Sequence, residues 1–179
     1  MATDLDLLVP AFKSRVLELL ARCRARGVEM RPYNGLRSPL EQARLWRQSR
    51  SIEEIERCSA ELQTQGAQFL AGCLRRAGPQ NGDHVTDAPP GLSWHQWGEA
   101  VDCFWLVDAR AEWSSRRLVN GRNGYRVYAD EAQALGLHAA GHWTTFKDWP
   151  HVQRPADASP LSSLSMVEID AAMVRRFGP

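Results

Sequence analysis

Between residues 10 and 26, apolar side chains recur at steps of three and four. Phe12, Val16, Leu19, Leu20 and Cys23 make one stripe, the spacing of a single helix face. Pro10 suits the first helical turn and Gly27 the stop. Residues 28–33 read as extended, and Pro32 moves them to a sheet edge or a strand end because it cannot donate to a ladder. Ser38-Pro39-Leu40-Glu41 is a capping box with proline at the first helical position, and it opens a helix to about residue 49. A second box, Ser51-Ile52-Glu53-Glu54, opens one long helix. Ile55, Cys58, Leu62, Phe69 and Cys73 follow its face as far as Gly78-Pro79.

Residues 78–92 are rich in Gly, Pro, Asn and Asp and read as a surface loop, with a short strand at Val85-Thr86. Residues 100–106 (AVDCFWL) are an apolar run holding one acid, the pattern of a buried strand. Residues 108–124 are a polar loop or hairpin. A helix spans about 128–135 and ends at Gly136, and 138–146 and 151–153 are extended. A third capping box, Ser165-Met166-Val167-Glu168, opens a last helix to about residue 177, with Leu164 and Ile169 spaced as a hydrophobic staple. Helices and short strands do not alternate regularly. The sequence therefore predicts an α+β fold with no internal repeat or linker, one domain over residues 1–179.

Composition narrows the field. The chain has 179 residues, 44% of them hydrophobic and 24% charged, which excludes a disordered protein or a disulfide miniprotein. The net charge of +1 argues against a partner bound by phosphate neutralisation, so no nucleic acid is expected. Residues 1–50 hold ten Lys/Arg against five Asp/Glu. A solvated helix face explains that excess as well as an anionic partner does. The N-terminal MATDLDLLVPAF carries two aspartates where a secretory signal would be positive, and no apolar run reaches the ~18 residues of a membrane span. The expectation is a monomer made in the cytoplasm without a signal peptide and without membrane insertion. Cys23, Cys58, Cys73 and Cys103 include no C-x-x-C pair, and three of them fall on apolar stripes, which reads as reduced core thiols.

Two segments carry chemistry: Ser93-Trp94-His95-Gln96-Trp97-Gly98-Glu99-Ala100-Val101-Asp102 and Asp148-Trp149-Pro150-His151. Gly98 lets the backbone turn tightly from the loop of His95 into the strand of Asp102. A lone carboxylate in an apolar strand needs a partner. His95 and Asp102 can meet at one metal, with His151 as third ligand from a neighbouring strand. Two imidazoles and one carboxylate with an open position describe a catalytic zinc site. Asp148, three residues before His151, can stand beside the metal as a general base. Each residue also has a plainer reading. Asp102 alone can pair with an arginine, Asp148 alone can be an exposed turn residue, and His84, His138 and His142 read as ordinary hydrogen-bonded histidines.

The first segment resembles the S-x-H-x-x-G-x-A-x-D signature of zinc peptidases that cut peptidoglycan stem peptides. These are the vancomycin-resistance-type (VanY-like) D-Ala-D-Ala peptidases and the L-alanyl-D-glutamate endopeptidases found as phage endolysins. Tyr33-Asn34-Gly35-Leu36-Arg37-Ser38 with Glu41-Gln42 resembles the family's arginine segment, residues 85–91 its lead-in, and Gly141-His142-Trp143 with residues 147–151 its closing segment. The similarity covers about residues 10–153. It implies a small, mainly antiparallel sheet flanked by helices, as in hedgehog and DD-peptidase domains. No separate wall-binding domain is expected, because the final helix, about residues 165–177, is too short to be one. The resemblance carries the site as well. It implies Zn²⁺ held by His95, Asp102 and His151, Asp148 as catalytic base, and Arg37 at the scissile carbonyl or a substrate carboxylate. Ser93, Gln42, Trp94 and Trp97 are expected at the substrate. Core packing is an equal reading for both tryptophans.

The D-Ala-D-Ala members place Glu at the base position, so Asp148 resembles the L-alanyl-D-glutamate branch. Gln96 departs from the Asn often found after the first histidine, and residues 51–78 are longer than the endolysin connection. The expected function is a zinc endopeptidase, of phage-endolysin type, that cleaves the L-Ala–D-Glu bond of the bacterial stem peptide. The rival readings are a D-Ala-D-Ala carboxypeptidase or dipeptidase, a zinc-bearing wall-binding module without activity, and a non-haem iron oxygenase. The oxygenase usually spaces its first two ligands two residues apart, against seven here.

Overall fold

A computed structural model describes residues 3–178. In chain order these form α1 (Pro10–Ala25), β1 (Glu29–Asn34), α2 (Pro39–Arg47), α3 (Ile52–Thr64), α4 (Gln68–Arg76), β2 (Ala100–Val107), β3 (Arg110–Glu112), α5 (Gly124–Ala134), β4 (His138–Ala139), β5 (His151–Gln153) and α6 (Met166–Phe177). Short 3-10 turns lie at Leu5–Leu7, Trp94–Trp97, Ala140–His142 and Pro160–Ser162. The chain gathers into two compact units. One comprises Met1–Leu36 and Trp97–Ala156, the other Arg37–Gln96 and Asp157–Pro179.

The first unit holds the sheet, ordered β1-β2-β5-β4 with β3 also paired to β2, and every pairing is antiparallel. The expected α+β class with a small antiparallel sheet is thus observed. α1 runs as predicted, and its stripe of Phe12, Val16, Leu19 and Cys23 is buried. Alternation along β2 separates two faces. Val101, Cys103, Trp105 and Val107 enter the core with Tyr125 and Tyr128 of α5. Asp102, Phe104 and Leu106 point to the opposite face. β1 ends the sheet, where Pro32 costs no ladder bond that a central strand needs.

The second unit is helical. Trp46, Ile55, Leu62, Leu70, Leu74, Ile169 and Met173 are among its buried residues from α2, α3, α4 and α6. All three predicted capping boxes form, at Ser38 with Glu41, Ser51 with Glu54 and Ser165 with Glu168.

Four local expectations are corrected. The helix predicted from Ser51 to Gly78 is two helices, broken at Gly66, whose φ of +81° is the left-handed conformation. There Ala67 N–H donates to Leu62 O, closing α3 with a Schellman turn. The N-cap of α4 is Ala67, whose side chain offers no capping bond. The buried Asp170 of α6 replaces it by accepting from Leu70 N at 2.9 Å and Phe69 N at 3.3 Å. α5 starts earlier than predicted because Asn123 caps it, its side chain accepting from Arg126 N. Val85-Thr86 is loop, not strand, and side chains take its polar groups: Arg50 donates to Thr86 O and Gln42 to Thr86 Oγ1. Of residues 138–146 only His138 and Ala139 form a strand, because the chain turns at Ala140–His142 into a 3-10 turn closed by Trp143 N–H on Ala140 O.

Candidate metal and catalytic site

The chemistry of the first unit centres on Asp102 and His151, which face each other across the β2–β5 ladder. Both are buried, and His151 Nδ1 lies 3.0 Å from Asp102 Oδ1. The register between β1 and β2 slips opposite Asp102: Pro32 pairs with Cys103, yet Asn34 pairs with Asp102, leaving Tyr33 as the extra residue. Bulges re-aim side chains in this way. Asn34 is brought round so that its Nδ2 donates to Asp102 Oδ2 at 3.1 Å.

The other nitrogen of His151 is also engaged. Nε2 lies 3.0 Å from Gln153 Oε1, and the Gln153 amide N–H donates to Pro155 O at 2.8 Å. With its NH₂ committed to a carbonyl, Gln153 turns its oxygen to the ring and can accept from the tautomer that carries its hydrogen on Nε2. That tautomer leaves the Nδ1 lone pair aimed at a carboxylate oxygen whose partner oxygen is already bonded to Asn34. Two acceptors at this distance need a cation between them, either a proton or a metal ion. Without a metal the proton fills the gap. Burial of the ring opposes its charging, but the hydrogen bond and charge of Asp102, the charge of Asp148 and the bond to Gln153 hold the His151 pKa above its ordinary value.

Asp148 lies in the turn before β5. Its N–H donates to Ala140 O and its carbonyl accepts from His151 N at 3.2 Å, so both ends of the turn are tethered. It is half-buried, and Trp143 packs its ring 5.9 Å from that of His151.

In the second unit His95 is almost fully buried in the Trp94–Trp97 turn. Its N–H donates to Ser93 Oγ at 3.4 Å and its carbonyl accepts from Arg37 N–H at 3.2 Å. Arg37 is half-buried, and its guanidinium donates to Gln42 Oε1 at 3.1 Å. Gln42 is fully buried, held through its amide N–H by Ala88 O at 2.7 Å and Thr86 Oγ1 at 3.3 Å. Gln42, predicted at the substrate, is thus buried and bonded to Arg37. Trp94 is also buried, with its indole N–H donated to Asp157 O, and Trp97 is half-buried. Gln96 is buried as well and accepts from Gly91 N–H. Gly98 follows with φ +70°, and a Cβ there would meet Leu7 O and Val9 N within 3.2–3.3 Å. The predicted tight turn into β2 is therefore required by the backbone.

His84 pairs with Asp87 and His142 with Asp130, both exposed, as expected of ordinary histidines. The four cysteines are free. Burial pushes the Cys23 thiol up to about 12 and that of Cys58 to about 11, which keeps them protonated. Asn34 and Gln153 were not predicted. Only the strand register and the β5 turn show what they touch.

Buried Asp102 and His151 face each other in the first unit in a way that fits a small cation, and the buried His95 of the second unit is likewise a residue of metal-ligand type. Such a set, with a carboxylate beside it, belongs to the class of metal-dependent hydrolases. The family model described as VanY, D-alanyl-D-alanine carboxypeptidase, matches residues 6–123, and the chain belongs to that family of peptidoglycan peptidases. The match includes Arg37, His95 and Asp102, whereas Asp148 and His151 lie beyond it. A relative from Bacillus subtilis (strain 168), the peptidoglycan L-alanyl-D-glutamate endopeptidase CwlK, is 26% identical over 147 residues, covering 80% of this chain and 71% of its own.

Among solved structures, the L-Ala D-Glu endopeptidase ChiX of Serratia marcescens has a TM-score of 0.43 at 19% identity, covering 83% of this chain and 81% of its own. The vancomycin-resistance D,D-pentapeptidase VanY from a VanB-type cassette, solved as a mutant with Zn(II), has a TM-score of 0.47 at 18% identity. It covers 94% of this chain and 78% of its own.

Proposed function

We propose that this peptidase is a zinc-dependent endopeptidase that cuts the L-Ala–D-Glu bond of the peptidoglycan stem peptide. The observation that carries the metal is the buried contact of His151 Nδ1 with Asp102 Oδ1, 3.0 Å apart, two atoms that can both bind a cation. His95, the histidine of the ten-residue motif, is the proposed third ligand. Zinc, when bound in such a site, polarises the scissile carbonyl and brings the pKa of water near 7.

Asp148 takes the proton of the attacking water and returns it to the leaving amine of D-glutamate. Its short side chain and doubly tethered turn hold that carboxylate beside His151. Arg37, steadied by Gln42, presents a fixed positive fork to the oxyanion or to a substrate carboxylate. The aspartate at the base position and the similarity to CwlK support the L-Ala–D-Glu specificity. The family's description supports a second reading, a D-Ala-D-Ala carboxypeptidase.

Mass spectrometry of fragments released from purified peptidoglycan, with and without chelator, separates the two. New D-glutamate amino termini, lost on chelation, are expected. Free D-alanine with the L-Ala–D-Glu bond intact overturns the choice. A phage-endolysin role is proposed on the same specificity. It predicts clearing of bacteria with permeabilised outer layers when the purified protein is added, and intact turbidity would remove that role.

A further inference from the structure

The open face of the sheet continues past Asp102 into three packed aromatic rings. Phe104 is two residues farther along β2 on the same face, roughly 6–7 Å away. Tyr33, the bulge residue of β1, and Trp113, just after β3, join it. Tyr33 and Trp113 meet edge to face with centroids 5.4 Å apart, and Phe104 lies 5.9 Å from Trp113 and 6.2 Å from Tyr33. Trp113 is 55% exposed and Tyr33 38%. The same face of β1 carries an ion pair of Arg31 and Glu29, polar groups at the edge of the patch.

We propose that Tyr33, Phe104 and Trp113 form a platform for a hexosamine ring of the wall glycan, next to the catalytic site. This rests on the peptidoglycan reading above and deepens it. Exposed aromatic patches of this kind mark binding surfaces. The negative face of an aromatic ring attracts the C–H groups on the flat side of a pyranose, while charged side chains at the rim take its hydroxyls and acetamido group. Position selects this occupant. In peptidoglycan the L-alanine nitrogen is acylated by the lactyl ether of a hexosamine. A scissile L-Ala carbonyl held near Asp102 thus leaves the sugar one alanyl residue and a three-carbon link away. That reach is roughly 7 Å, the step from Asp102 to Phe104. The D-Ala-D-Ala end of the stem is several residues farther from any sugar, so the platform also favours the L-Ala–D-Glu bond.

The test compares two substrates, a disaccharide stem peptide and the same peptide N-acetylated on L-alanine without sugar. For Trp113→Ala, the ratio of kcat/KM between them is expected to fall about tenfold, equivalent to ~1.4 kcal/mol. Phe104→Leu, which keeps an apolar side chain, should lower it in the same direction. An unchanged ratio overturns the platform. A second measurement needs no catalysis: titration of the full chain with the N-acetylglucosaminyl-N-acetylmuramic acid disaccharide, followed by indole N–H signals. A saturable shift in the wild type that Trp113→Ala removes supports the platform. No shift at millimolar sugar overturns it. If neither peptide is cut yet the sugar binds, the proposed activity fails and the platform stands. If both are cut at equal rates, the platform fails and the activity stands.

Discussion

Asp102 Oδ2 accepts from Asn34 at 3.1 Å while its Oδ1 faces His151 Nδ1 at 3.0 Å, so the amide anchors one oxygen and turns the other to the ring. Gln153 performs the same service for His151 from the far side of the ring. The orientation of both candidate ligands thus depends on two amides, Asn34 and Gln153, that are not themselves proposed as ligands.

Removing either amide should therefore loosen the metal. Asn34→Ala and Gln153→Ala are each expected to weaken zinc binding by about 10–100-fold, the usual cost of losing such a partner. Competition with a chromophoric chelator measures this, with far-UV circular dichroism checking the fold. Affinity within twofold of wild type would refute the orienting role.

The raised pKa of His151 has a thermodynamic consequence in the metal-free protein. A group whose folded pKa exceeds its unfolded value stabilises the fold fully below the unfolded pKa. That contribution fades as pH rises through the folded pKa. Stability of the metal-free protein should thus decline as pH climbs from about 6.5, the ordinary histidine value. Zinc displaces the same proton, so zinc affinity should rise over that window. Urea titrations in chelator at successive pH values, paired with zinc titrations, check both signs. His151→Gln should flatten the metal-free trend.

Asp148→Asn keeps the size of the side chain but cannot accept a proton. Wall hydrolysis should fall by about 10²–10⁴, the range for losing a general base, with zinc content unchanged by metal analysis. Equal rates for variant and wild type would take Asp148 out of the reaction.

The break in the predicted long helix can be tested through Asp170. Asp170→Ala strands the N–H groups of Phe69 and Leu70 in a buried setting, at a cost of about 1–3 kcal/mol. Asp170→Asn, which still offers one oxygen, should cost less. Chemical denaturation reads both, and a negligible loss in the alanine variant would show that α4 needs no cap.

The sequence by itself determined what is local or carried by short spacing. Three capping boxes, the stripe of α1, the β2 strand with its single acid, and the glycine between His95 and Asp102 are all written within a few residues, and all appear in the structure. The motif also proposed the candidate donor residues, because ligand type and spacing survive in one dimension. Tertiary structure alone decided the rest. Nothing near Asn34 announces a bulge, since the slip exists only in its pairing with β2. Gln153 acts on a ring two residues away because β5 and Pro155 turn its amide over. Asp170 caps a helix 100 residues distant in sequence. These contacts join segments whose order along the chain says nothing about their separation in space. Packing of the core and the sheet register chose them.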